Sequence, residues 1–595
     1  MSINTLKSLN FATFGPALLA LVLLGGCATT RQIEAPATEK TGTAPAAADN
    51  EASAEETPPE PSPEEYPVKP FSKEVLYELL VGEIAGYRGD FNLALDNYLK
   101  ATQQTRDPGV AARTTRLAAY LKHDDIALKA ARVWSEVAPT DMDAHRYAAD
   151  LMMRAGEVED AVKQLEAIKR LGGSADFPMF AYRAANLSNA DRDRLLKAWS
   201  HLTDEYPDDD QLKFSRAVLL EQNGQQEDAL AIANQLLAEK PDLNVVILKV
   251  NALKSLHRDK EAIRFLQRTI KEMKGNRRLR LIYARLLFEN DKLGEARAQY
   301  EAVNKQSPGD GDILFALALI SLEQSDDQAA RTYLEEMVKD KQRVGEAHYY
   351  LGNLAEKEKD AAAALKEYKQ VTNGYEFLPA QSRIANLLFD EGKRQQALDW
   401  LETARGQFPE RYDQLIVVEA QLLSDHGLGD QALAFLDQAI ANDPGNTDLL
   451  YFRAMTGEKF GRLDILERDL KKIIKLDPNN ADALNALGYT LTDQTNRHQE
   501  ALKLIQKALE IKPNEPAFID SLGWVMYRLK HYDEAVTELK RALKMFPNDE
   551  VAAHLGEVLW VTGKKAEANK VWQEGLHRKP DSEVLKKVIQ KFTGQ

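Results

Sequence analysis

Between Glu515 and Asp549 large and small apolar residues alternate at helical spacing: Leu522 and Gly523, then Tyr527, Ala535, Leu539 and Ala542, with Pro547 at the end. The polar positions between them leave one apolar stripe on each of two helices. A break falls near His531 to Asp533, and Pro547, which has no N–H to donate, stops the second helix. Gly523 and Ala535 are small where two helices must approach closely, and Leu522, Tyr527 and Leu539 supply the apolar filling.

The same pattern recurs along the chain. Steps of 33 to 35 residues from Ala535 reach Ala94, Ala127, Ala161, Leu195, Ala229, Ala262, Ala296, Ala330, Ala364, Ala397, Ala432, Leu466, Ala501 and Ala568. Pro207, Pro241, Pro308, Pro409, Pro444, Pro478, Pro513 and Pro580 fall on the same ruler near the ends of units. Chance alanines would drift out of phase within a few steps. The pattern resembles the tetratricopeptide repeat (TPR), a helix–turn–helix unit of about 34 residues. The expected fold class is all-α, a superhelical solenoid of about 13–15 helix pairs. Units near 110–140 and 175–205 are irregular, the latter with Leu195 in the alanine position and Trp199 nearby.

The solenoid is expected over residues 71–583, closed by a terminal helix at 584–595 that carries Val584, Leu585, Val588, Ile589 and Phe592. Residues 1–26 read as a removable leader: Lys7 precedes an apolar run from Phe11 to Leu24, too short to span a bilayer comfortably. Leu24-Gly25-Gly26-Cys27 resembles a bacterial lipobox. That resemblance implies cleavage before Cys27, lipidation of this residue and, with Ala28 following it, retention in the outer membrane. An ordinary signal peptide ending near a cysteine is the alternative. Cys27 is the one cysteine of the chain, so a lipidated protein has no thiol for a disulfide.

Residues 27–70 read as a disordered tether. Ala, Pro, Glu and Thr dominate, and nine acidic residues against Arg31, Lys40 and Lys69 make it strongly acidic within a chain of net charge −15. That balance argues against a nucleic-acid partner. Catalytic signatures are missing from the sequence. The histidines form no i, i+3 or i, i+4 pair that would hold zinc on a helix, no G-x-S-x-G elbow occurs, and Gly556 to Lys565 has the wrong spacing for a phosphate loop. We therefore expect no enzyme, no cofactor and no metal.

Function then has to come from surfaces. In the TPR family the residues facing the inner groove lie about fifteen and eleven positions before the marker alanine. Carried over, these include Arg146, Asp150, Asn251, Arg285, Phe315, Tyr349, Asn353, Asn386, Gln421, Tyr451, Asp520 and Trp524; Asn485 and Tyr489 are placed from Gly488, because that unit has one extra residue. Asn side chains can bind the backbone of an extended polypeptide and aromatic faces can cover its apolar side chains. Two further features are a basic stretch from Arg264 to Arg285 and an apolar first helix with Leu76, Leu79, Leu80 and Ile84, each with a purely structural alternative as a solvated or packed face.

A lipobox, an acidic Pro-rich tether and a TPR solenoid of this length resemble the outer-membrane lipoprotein adaptors of periplasmic carboxyl-terminal processing proteases. The resemblance implies a lipid-anchored scaffold with its body in the periplasm. Such a scaffold binds the protease, docked on the first unit, and holds substrates such as cell-wall hydrolases. A scaffold for an exopolysaccharide exporter or pilus secretin, and a regulator of peptidoglycan synthases, are the alternative readings.

Overall fold

The computed structural model describes residues 72–594; the leader, Cys27 and the tether lie outside them. Among the described residues some 80% are helical and no strand occurs. Helices alternate with short turns from Lys73–Tyr87 to Glu583–Thr593 and pair into fifteen antiparallel hairpins followed by one final helix. They form two compact units that divide between Pro308 and Gly309, seven hairpins in the first and eight in the second.

Local sequence sets each hairpin. An Asp or Asn caps many of the first helices: Asp107, Asp141, Asp209, Asp242, Asp310, Asn446, Asn480 and Asn548 each accept from backbone N–H groups of the first turn. In thirteen of the fifteen hairpins the turn to the second helix passes through one left-handed residue. Gly563 holds it at φ +83° in the last hairpin, and Lys530 at φ +69° in the hairpin before. Gly563 thus sits in the turn between two helices.

Packing explains the repeat. All fifteen marker positions, the thirteen alanines together with Leu195 and Leu466, are at most 1% exposed. At the thirteen alanines a single methyl fills the close crossing of two helices. Sixteen residues before a large apolar residue of the second helix, the first helix often carries Gly. A Cβ on Gly523 would lie 2.6 Å from Leu539 Cγ, and one on Gly352 within 2.5 Å of the Tyr368 ring. In the hairpin with the extra residue the partner of Gly488 is Ile505, seventeen positions on, at 2.6 Å.

The first unit is least regular where the marker is Leu195. There the first helix shrinks to Phe177–Arg183 plus a single 3-10 turn at Ala184–Asn186. Trp199 fills the space, fully buried with its ring 5.9 Å from that of Phe177. In the second unit, Arg453 donates through Nε and Nη2 to Asp469 at 2.6 and 2.8 Å and through Nη1 to Asp437 at 2.6 Å. Asp469 is fully buried, so this ion pair ties two helices of one hairpin inside the core. At the end of the chain, Glu583–Thr593 lays Leu585 and Val588 into the core around Trp572 and turns its lysines outward.

Candidate protein-binding surfaces

Every residue carried over to the groove stands on the first helix of a hairpin, but the structure does not gather them all. In the first unit, Arg146 reaches Asp143 at 2.7 Å, Asp150 is held by Arg154 and Arg183, and Arg285 Nε lies 3.2 Å from Glu289. Asn251 is half-buried. Arg146, Asp150 and Arg285 are thus engaged in ion pairs on their own or a neighbouring first helix.

In the second unit the first helices carry a continuous series of rings and polar groups. Phe315 is buried, under the Arg343 guanidinium at 4.2 Å. Tyr349 lies against Tyr350 and Tyr368, and Tyr368 OH donates to Asn353 Oδ1 at 2.6 Å and also to Glu356, which binds Arg383. Burial, then the Glu356 carboxylate, raise the Tyr368 hydroxyl well above its ordinary range. Asn386 Oδ1 faces His426 Nε2 at 3.3 Å, with the His426 ring stacked on Phe389. Gln421 is exposed and donates to Asp425, which also takes Lys459.

The densest assembly is built by the first helices Thr447–Lys459, Ala481–Gln494, Pro516–Arg528 and Asp549–Val561. Asp520 and Trp524 are both 6% exposed. His554 stacks on the Trp524 ring with centroids 4.2 Å apart, and its Nδ1 lies 3.0 Å from Asp520. Trp524 Nε1 donates to Asp493 at 3.3 Å. Tyr489 OH donates to Glu550 at 2.9 Å. That last bond skips a whole hairpin, so this wall curves inward here. Thr490 donates to Glu458 at 3.1 Å, and Tyr527 OH to Glu557 at 3.2 Å, with Lys591 on the same carboxylate. Tyr451 stands two turns before Glu458, and Asn485 one turn before Tyr489.

Electrostatics here follow from burial among acids. Burial raises Glu458, and Asp493 and Glu550 add to the shift against the Thr490 hydrogen bond. Burial, then Glu550, raise the Tyr489 hydroxyl; Tyr527 is pushed up to about 12 by burial and Glu557. Burial pulls His554 down, but Asp520, with Glu550 and Asp493, outweighs it, and the net direction is up.

The carry-over missed Glu458, Asp493, Glu550, His554 and Glu557. The ruler extended to Ala568 reaches Glu557 eleven positions earlier, which is the signal that was available; the others lie between ruler positions. The basic stretch leaves Arg264, Arg268, Lys271 and Lys274 exposed, while Arg280 is engaged by Gln299. On Lys73–Tyr87, Leu79 packs against the small core of Ala85, Ala94 and Tyr98, whereas Leu76, Leu80 and Ile84 stay 46%, 52% and 52% exposed.

Models of the tetratricopeptide repeat match residues 188–244, 260–320, 315–374, 470–503 and 521–583. A TPR repeat-containing protein of Pseudomonas aeruginosa is 40% identical over 524 residues, 88% of this chain and 89% of the relative. The chain belongs to the TPR repeat-containing protein family. Among solved structures, this TPR protein is similar to a chain of the Naa15/Naa10 complex bound to HypK-THB, with 13% identity over 88% of this chain and 96% of that one and a TM-score of 0.40. It is also similar to a TPR protein of Thermus thermophilus, with 22% identity over 31% of this chain and 99% of that one and a TM-score of 0.28. TPR proteins are generally non-catalytic scaffolds that mediate protein–protein interactions. Among the described residues no group of three or more His, Cys, Asp or Glu is arranged to hold a metal ion, and no helix is long and apolar enough to cross a membrane.

Proposed function

We propose that this TPR protein is a lipid-anchored adaptor of the outer membrane that binds a periplasmic carboxyl-terminal processing protease and its substrate proteins, cell-wall hydrolases among them. Cys27 carries the lipid, and residues 27–70 let the repeats stand away from the membrane. The inner faces of the hairpins hold substrate polypeptide. The first helix docks the protease through Leu76, Leu80 and Ile84, with Leu79 beneath them. Protease and substrate on one scaffold meet at raised effective concentration, and the adaptor contributes proximity without covalent chemistry.

The observation that supports this reading best is the row Leu76, Leu80 and Ile84, spaced four residues apart along one face and about half exposed. An apolar stripe left in water on a helix that already fills its own core contact is the arrangement expected of an interaction face. It belongs to a different hairpin from the ring-lined wall, so two partners can be held together.

Affinity capture from detergent-solubilised envelopes tests the proposal. The full-length protein should retain a serine protease together with cell-wall hydrolases, and L76E/L80E should lose the protease selectively. Recovery of a secretin or polysaccharide porin with no protease would overturn it.

A further inference from the structure

The wall formed around Tyr489, Trp524 and His554 has an unbalanced chemistry. Five of its donors are already engaged by its own acids: Tyr489 OH by Glu550, Trp524 Nε1 by Asp493, the Thr490 hydroxyl and Gln494 Nε2 by Glu458, and Tyr527 OH by Glu557. A carboxylate has about four lone-pair sites, so each of these acids keeps capacity to accept more. Asn485, one turn before Tyr489, adds a buried Oδ1 with no hydrogen-bond partner.

Apart from His554, which pairs with Asp520, cations are scarce at the same place. Among the described residues, Glu458, Asp493 and Glu550 form no ion pair, because the neighbouring lysines are directed elsewhere: Lys459 to Asp425, Lys512 to Asp482 and Lys591 to Glu557. Glu458 is half-buried with the exposed Asp493 and Glu550 near enough to act on it, and like charges gathered this way favour the arrival of a positive charge. Ring faces complete the arrangement, Trp524 and Tyr527 at 5.1 Å and Tyr489 and His554 at 6.2 Å. A guanidinium or ammonium group is attracted to an aromatic face as well as to a carboxylate.

We infer that this wall, on the first helices from Thr447 to Val561, docks the arginine or lysine side chains of an extended polypeptide. Acid acceptors in excess of the donors beside them select a donor-rich ligand, and the carboxylates of Glu458, Asp493 and Glu550, which make no ion pair, select a cation. The inward curve that brings Tyr489 to Glu550 across a hairpin suits a segment lying across three first helices. The inference rests on the adaptor reading for the kind of ligand, a polypeptide, and adds which side chains it must present.

The test uses the full-length chain and a fluorescein-labelled peptide of alternating arginine and glycine, read by fluorescence anisotropy. The variant E458Q/D493N/E550Q is compared with E335Q/E402Q/E510Q, which removes the same charge from exposed acids of second helices. At physiological ionic strength the wall variant should bind at least about tenfold more weakly and the control less than about twofold. A glutamate–glycine peptide should not bind. Equal losses in the two variants would show diffuse attraction to an acidic protein and overturn the inference, as would unchanged binding in the wall variant.

Hydrogen exchange on the unmodified protein gives a reading that needs no variant. The arginine peptide should slow exchange within 447–561, and protection confined to other hairpins would overturn the inference. The two readings fail separately. Loss of the protease from the capture experiment with peptide binding intact sinks the adaptor and leaves this site; retained protease and hydrolases on E458Q/D493N/E550Q with no peptide effect does the reverse.

Discussion

Replacing Gly523 with Ala isolates the packing rule behind the repeat. Helix propensity alone favours Ala over Gly by roughly 0.5–1 kcal/mol in a helix interior. Against it, the new Cβ would sit 2.6 Å from Leu539 Cγ, 3.0 Å from Cδ2 and 3.2 Å from the Leu539 backbone nitrogen. Rotating Leu539 relieves the contact with its methyl but not the one with the backbone, so the two helices must separate or Leu539 must leave its rotamer. Overpacking of this kind costs typically about 1–3 kcal/mol, so the net expectation is destabilisation by about 1–2 kcal/mol. Gly406, near the end of Arg394–Gln407, provides the control: a Cβ there meets nothing within 4 Å, so Ala should be neutral to stabilising by about 0.5 kcal/mol. Repeat arrays do not melt as one two-state body, so the proper assay is native-state hydrogen exchange read by mass spectrometry on segments from 516–545. G523A should speed exchange there about five- to thirtyfold, while G406A should not speed it in its own helix. Equal or slower exchange in G523A would refute the reasoning that a close helix crossing fixes this glycine.

Three other outcomes are expected. C27S should move the protein from the membrane to the soluble fraction with its helical circular dichroism and melting unchanged; a markedly lower melting temperature would contradict an independent anchor and body. D469N, which leaves Arg453 without its buried partner, should lower local stability by about 3–5 kcal/mol in native-state hydrogen exchange on segments from 447–476, whereas R453M/D469L should recover much of that loss. His554 is faced by Asp520, Asp493 and Glu550, and its folded pKa lies above the ordinary 6.5. Its protonation therefore stabilises the fold fully below about pH 6.5, and that contribution fades as pH rises through the folded value. Between pH 6 and 9 the wild type should lose more stability than H554N, and parallel curves would argue against this role.

The fold was readable because its information is local and repeated. A methyl at each helix crossing, a glycine sixteen residues before a large apolar side chain and a left-handed turn recur at fixed offsets, so one phase along the chain fixes the hairpins. Even the extra residue before Ala501 shows in the shift of the Gly488 partner to Ile505. The candidate surface was less legible. Ruler positions led to Asn485, Tyr489, Asp520 and Trp524, which the fold does bring side by side with His554. They did not lead to Glu458, Asp493 and Glu550, because which acids lack a counterion depends on contacts between residues thirty and more positions apart. In the first unit the same ruler picked Arg146 and Asp150, whose nearest charged neighbours on their own or the adjoining helix claim them. Composition cannot distinguish a claimed charge from an available one.

The two ends of the described chain differ. Leu585 and Val588 seal one of them against Trp572, while Leu76, Leu80 and Ile84 leave the other uncovered. Hairpins that lean mainly on their neighbours come apart from whichever end lacks one. Fraying and proteolytic trimming therefore have a direction, beginning at the amino-terminal hairpin and advancing inward, and anything that settles on that open face also acts as a brake on the loss of the rest.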